Sequence, residues 1–169
     1  LSAIFRQIGV VAWRKQQKLQ KKLTQGEDGT EDDATMLETS VRNLIDQGTE
    51  TQPLFYPGVV EGLSMTCIRN FMLCNEAFQH SALIQIHRRL FGTNASSPVV
   101  QQSVKRILDC TIQIGPSSGL SPWVMLTTPL FIAGCEARGE DRETVRGLLS
   151  ALHDTIRVPN VLQSLKFLE

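Results

Sequence analysis

The stretch PLFIAGCEARGEDRETVR, Pro129 to Arg146, decides the fold because its character changes halfway along. From Pro129 to Ala137 only Glu136 is charged. From Arg138 to Arg146 charge falls on Arg138, Glu140, Asp141, Arg142, Glu143 and Arg146. The apolar half is approached through Ser121, Pro122 and Trp123, a helix start with serine as N-cap and proline at the first position. Pro129 has no N–H and clashes inside a helix, so it kinks or restarts this one after Thr127 and Thr128. Gly134 lets a neighbouring helix come close, at about 1 kcal/mol against alanine in a free helix. The charged half then begins a second helix whose inner face is Val145, Leu148, Leu149 and Leu152. Glu136 is the odd residue, because a carboxylate in an apolar run needs a partner. Arg142 on the following helix is the expected one, making a Glu136–Arg142 lock.

Working outward, the rest of the chain is helical in pattern. Leu1, Ile4, Phe5, Ile8, Val11 and Ala12 recur at helical spacing, and the segment continues to Leu19 and Leu23. Arg14, Lys18, Lys21 and Lys22 share a face, read as a solvated helix end rather than a nuclear-import or phosphate-contacting patch. Thr24 to Ala34 has five acids and no large apolar residue, which predicts a mobile loop. A short helix with Leu37, Val41, Leu44 and Ile45 follows, Gly48 serving as its C-terminal cap. Gly48 to Gly58 is a connector in which Phe55 and Tyr56 dock onto the body. Val59 to Leu90 is too long for one helix on ordinary lengths, so a bend or break is expected near Cys74 to Ala77, with the end at Gly92. Asn94, Ala95 and Ser96 make a turn. Ser97 and Pro98 start a helix carrying Val99, Val100, Val104, Ile107, Leu108 and Ile112. Pro159 and Asn160 start the last, with Val161, Leu162, Leu165 and Leu168. The expectation is one all-α domain over residues 1–169, an irregular helical bundle of about seven helices.

Composition narrows the function. Seventeen basic and seventeen acidic residues cancel, so overall charge pulls the chain towards neither DNA nor an anionic membrane. No apolar run approaches the roughly 20 residues of a membrane span. Cys67, Cys74, Cys110 and Cys135 lack Cys-x2-Cys spacing and are too sparse for a disulfide scaffold, so they read as reduced, mostly buried, small apolar side chains. Glu76, His80 and His87 share a helix face, but no matching ligand set accompanies them, and Glu76 and His80 read as an i, i+4 pair. Cys135 has no local feature of an activated thiolate. Nucleotide-binding and hydrolase fingerprints are lacking, so no catalytic residue, cofactor or metal ligand is assigned. Trp123, Met125, Phe131 and Cys135 lie in one apolar segment and are the candidate lining of an effector pocket, with a filled core as the plainer reading.

The same residues carry a resemblance. The segment from Ser121 to Leu149, with its PLFIAGCEA core, the cluster Asp141, Arg142 and Glu143, and the closing SLKFLE, resembles the C-terminal end of the fungal-specific transcription factor domain. That domain is the regulatory region behind the DNA-binding cluster of binuclear zinc-cluster transcription factors. FQHSALIQIHRRLFG, Phe78 to Gly92, and the following SSPVVQ are similar to an earlier family segment. The resemblance is good over Phe78 to Glu169, while Leu1 to Val60 matches in character only. It implies an all-helical, non-catalytic nuclear domain that restrains or modulates activation, makes protein contacts or self-associates, and in some members binds small effectors. Zinc is expected only in a DNA-binding region not present here, since its six close cysteines are missing. The chain begins with Leu1 rather than Met, as a piece of a longer protein does, and no direct contact with nucleic acid or membrane is expected of it. The alternatives are a metabolite or lipid sensor with a pocket between helices, and a helical scaffold or enzyme unrelated to transcription.

Overall fold

The computed structural model of the chain describes residues 1–20, 29–50, 58, 62–116, 121–157 and 159–168. These form seven α-helices and no strand among the described residues. They are α1 (Ser2–Gln20), α2 (Gly29–Glu50), α3 (Met65–Gln85), α4 (Pro98–Ile114), α5 (Thr127–Glu136), α6 (Glu140–Ile156) and α7 (Pro159–Phe167). A π-helical segment, Ile86–Phe91, prolongs α3, and a 3₁₀ segment, Pro122–Leu126, leads into α5.

Helix α3 is the axis of the molecule. Ser64 caps it by accepting a hydrogen bond from the Cys67 N–H. Leu73, Cys74, Ala77, Gln79 and Ser81 to Ile84 are all buried, so the helix is enclosed on most sides. The expected break near Cys74 to Ala77 does not occur. Enclosure supports each turn through side-chain packing, and the irregularity comes later, as the wider π turns from Ile86. Gly92, in the left-handed region at φ 69°, then ends the helix where the sequence predicted.

Two hydrophobic clusters share α3. Leu73, Cys74, Ala77 and Ile84 pack with Val104, Ile107, Trp123, Leu126, Leu130, Val145, Leu149, Leu152 and Val161, joining α3 to α4–α7. Ala82, Leu83, Ile86 and Leu90 pack with Ile8, Val11, Leu37 and Val41, joining α3 and its π segment to α1 and α2. Each wholly buried leucine or isoleucine contributes about 2 kcal/mol by leaving water.

Several local expectations shift. Residues 29–34 are the first turns of α2 rather than part of a loop, because Glu31 and Asp32 suit a helix N-terminus. The same helix runs through Gly48 to Glu50, so Gly48 is not a cap. Ile112 and Leu19 face solvent. Lys21, Lys22, Leu23, Phe55, Tyr56 and Val60 lie outside the described residues. The start of α5 follows the reading of Pro129. The 3₁₀ turns pass into α-helix at Thr127, and Pro129 sits in the first turn, where an N–H has no intrahelical acceptor. Ser97 and Pro98 open α4 as expected, although the Ser97 hydroxyl makes no capping bond.

Candidate functional site

Three segments of the sequence meet at the end of α5. The Glu136 carboxylate lies 2.8 Å from Arg88 Nε of the π segment. Its backbone carbonyl accepts a hydrogen bond of 2.9 Å from the Gln101 side chain of α4, which also donates to the Ala95 carbonyl. Arg88 donates in turn to the Thr93 carbonyl. The Arg88 Nε–H is not aligned on the carboxylate, so this contact is an ion pair rather than a directed hydrogen bond. Arg142 is not the partner of Glu136. Beyond Ala137 the chain turns at Gly139, φ 54°, and Arg142 donates 2.8 Å to the Leu168 carbonyl at the end of α7. The sequence rule that a half-buried carboxylate finds a cation holds, and the cation comes from the HRR of Phe78 to Gly92. A turn-breaking glycine between Glu136 and Arg142 was the available sign that the nearer arginine points elsewhere.

The four proposed pocket residues do not converge. Trp123 is wholly buried in the larger cluster, its indole N–H without a partner. Met125 and Cys135 are exposed, and Phe131 is half-buried against Phe167, ring centroids 5.5 Å apart. The 3₁₀ turns and α5 present Trp123 to the core and Met125 and Cys135 to the outside.

The cysteines divide. Cys74 and Cys110 are buried, and burial pushes their thiols up to about 11 and about 12. Cys67 is half-buried and Cys135 exposed, where the sequence led us to expect the cysteines to be mostly buried. Partial loss of solvent around the thiol, and then the Glu136 charge, still raise Cys135 above its ordinary value, with Arg142 opposing. That is the reverse of an activated nucleophile. Among the described residues no group of three or more His, Cys, Asp or Glu side chains is placed to hold a metal ion.

His80 and His87 line a polar seam along α3 and its π segment. Glu76 makes two hydrogen bonds to Arg106 of α4, with His80 Nε2 3.9 Å away. His80 Nδ1 is 3.4 Å from the Ser103 hydroxyl. Burial lowers the His80 pKa, against the raising effect of Glu76. His87 Nε2 is 3.3 Å from Glu38 of α2, a carboxylate it shares with Arg42. Glu76 and His80 therefore do approach one another, but Arg106 is the stronger partner of Glu76. An open hollow of about 220 Å³ lies beside this seam, bordered by Arg42, His80, Gln102 and Ser103.

A different surface stands out on α1 and α2. One edge of α1 reads Arg6, Val10 and Arg14 at intervals of four, and the facing edge of α2 reads Asp33, Met36 and Ser40 at intervals of three and four. Between them runs a groove of about 390 Å³, floored by Val11 and Leu37 and bordered by Val10, Arg14, Met36 and Ser40. Val10 and Met36 are exposed there at 42% and 68%, and Trp13, one turn after Val10 on α1, is exposed at 61%. Among the described residues no helix is long and apolar enough to cross a membrane.

Comparison with curated proteins and with solved structures gives no match. The family model of the fungal specific transcription factor domain matches residues 1–169, the whole of the chain, and the chain belongs to that family.

Proposed function

We propose that this chain is a regulatory and interaction domain of a fungal zinc-cluster transcription factor, a single domain working in the nucleus and modulating activation through protein contacts. Family membership carries the reading. The form of the molecule supports it: α3 ties two packed clusters together while large apolar side chains stand on the outside. Exposed tryptophan and methionine beside an arginine are the residue types that anchor protein interfaces. No catalytic step is assigned to the chain, and its balanced charge fits a domain that leaves DNA contact to other parts of the protein.

A small polar effector is the second reading. The hollow bordered by Arg42, His80 and Ser103 favours it, since polar groups from α2, α3 and α4 turn towards one opening. It replaces the segment around Trp123, Met125, Phe131 and Cys135 as the place where a ligand would sit.

The regulatory reading is tested in a fungal cell by placing the chain between a heterologous DNA-binding module and an activating segment. Reporter output should differ several-fold from that of the same fusion carrying an unrelated helical domain. Equal output at equal protein level overturns it. The effector reading is tested by a thermal-shift screen against polar metabolites, because a ligand of the native state raises the melting temperature. Hits must be lost in Arg42→Gln.

A further inference from the structure

Charge on the α1–α2 face is segregated. Helix α1 carries Arg6, Arg14 and Lys18 besides Lys15, which donates to the Leu90 carbonyl away from this face, and no acidic residue, while α2 opens with Glu31, Asp32 and Asp33. The two helices lie side by side with the basic end of α1 next to the acidic start of α2, as the 3.8 Å contact of Arg14 with Asp33 shows. That contact is long and exposed on both sides, so it leaves most of both charges available to another molecule. Beside the charged ends stand the exposed Val10 and Met36, with the exposed Trp13 one turn after Val10 on α1.

A two-fold axis running along the groove, parallel to the helices, maps this face onto itself with α1 over α2. The basic end of α1 in one copy then lies over the acidic start of α2 in the other, and Val10 lies over Met36. Each contact is made twice, as an isologous pair requires. We propose that the α1–α2 face is where a second copy of this chain docks. The proposal rests on the reading of the domain as one that acts through protein contacts, and it names the partner.

The size of the face sets the strength. Helix α1 is 19 residues long. Two such helices side by side present roughly 600 Å² per copy, below the roughly 800 Å² of a standard interface. The dimer is therefore weak, dissociates on dilution and loosens as salt screens the charged ends.

Sedimentation velocity from about 5 to about 500 µM, the range in which a small interface is half-formed, should show monomer passing to dimer. The two tryptophans make a second reporter. Trp123 is wholly buried at every concentration, so any blue shift or loss of acrylamide quenching on concentration belongs to Trp13. Met36→Glu, on an exposed site, should raise the dissociation constant at least tenfold with circular dichroism unchanged. Arg14→Glu and Asp33→Arg should each weaken the homodimer, by setting like charges opposite each other. An equimolar mixture of the two should form a heterodimer, since both of its charged contacts are then between opposite signs. A chain that stays monomeric throughout the range, with Trp13 fully quenchable, overturns the proposal and leaves the face to another protein. A dimer indifferent to Met36→Glu and to the charge reversals overturns it as well, by placing the contact elsewhere. Neither result touches the transcriptional reading, which the reporter fusion tests without reference to this face.

Discussion

Replacing Gly134 with alanine puts a methyl group into a tight contact within the larger cluster. A Cβ there would lie 2.5 Å from Leu168 Cδ1, 2.9 Å from Val145 Cγ1 and 3.2 Å from Leu168 Cδ2. Leu168 is the tip of a side chain near the end of α7 and can swing. Val145 is β-branched and wholly buried, with one stiff torsion and nowhere to move. In an exposed helix the substitution would stabilise by about 1 kcal/mol. Overpacking here costs about 1–3 kcal/mol, and two neighbours that must both give place it towards the upper end. The net expectation is a loss of about 1–2 kcal/mol, a fall in Tm of about 3–6 °C for a chain of this size. Thermal and urea unfolding followed by circular dichroism measure it. Leu168→Ala should be less damaging in the Gly134→Ala background than alone, because it vacates the space the new methyl needs. A Tm that stays level or rises in Gly134→Ala refutes the reasoning, since the contact would then be looser than the distances require.

Other perturbations follow from the same contacts. Glu136→Gln and Arg88→Gln should each cost about 1–2 kcal/mol, less than a fully buried pair because Arg88 is one-third exposed. Their double mutant should cost less than the sum in a double-mutant cycle, while Arg142→Gln, which loses the bond to the Leu168 carbonyl, should show no coupling to Glu136→Gln. Burial holds the His80 pKa below its ordinary 6.5, so the unfolded chain binds the proton more readily. Stability from this group is therefore full above pH 6.5 and falls as the pH drops below it. Urea midpoints between neutral and mildly acidic pH should decline in the wild type and decline less in His80→Gln. Iodoacetamide at mildly alkaline pH should reach Cys135 slowly, given its raised thiol, and should spare Cys74 and Cys110 until denaturant is added. Peptide mass mapping reads the order.

Helix starts were the most legible part of the fold, because Ser97 with Pro98, Ser121 with Pro122, and Pro159 announce themselves through chemistry local to a few residues. The inward stripe of α6, with Val145, Leu149 and Leu152, was equally plain from its period. Internal continuity was not. Gly48 lies within α2 and the Cys74–Ala77 turns lie within α3, since tertiary packing decides whether a helix runs on past a weak residue. The Glu136 partner shows where sequence reasoning ends. That a carboxylate in an apolar run needs a cation is a local rule, but Arg88 is 48 positions away and reaches Glu136 only because α3 and α5 pack together. The α1–α2 face was hidden for a related reason. The stripe of α1 identified its buried side, whereas Met36 and Val10 become a surface only once the two helices are set side by side.

The most direct measurement for the account as a whole is the reporter fusion in a fungal cell. The chain is placed between a heterologous DNA-binding module and an activating segment, beside an unfolded control such as Val145→Asp. A regulatory domain predicts several-fold altered output with the folded chain and a return to the unregulated level with the control. Output that matches an unrelated helical domain, and is unchanged by unfolding, contradicts it.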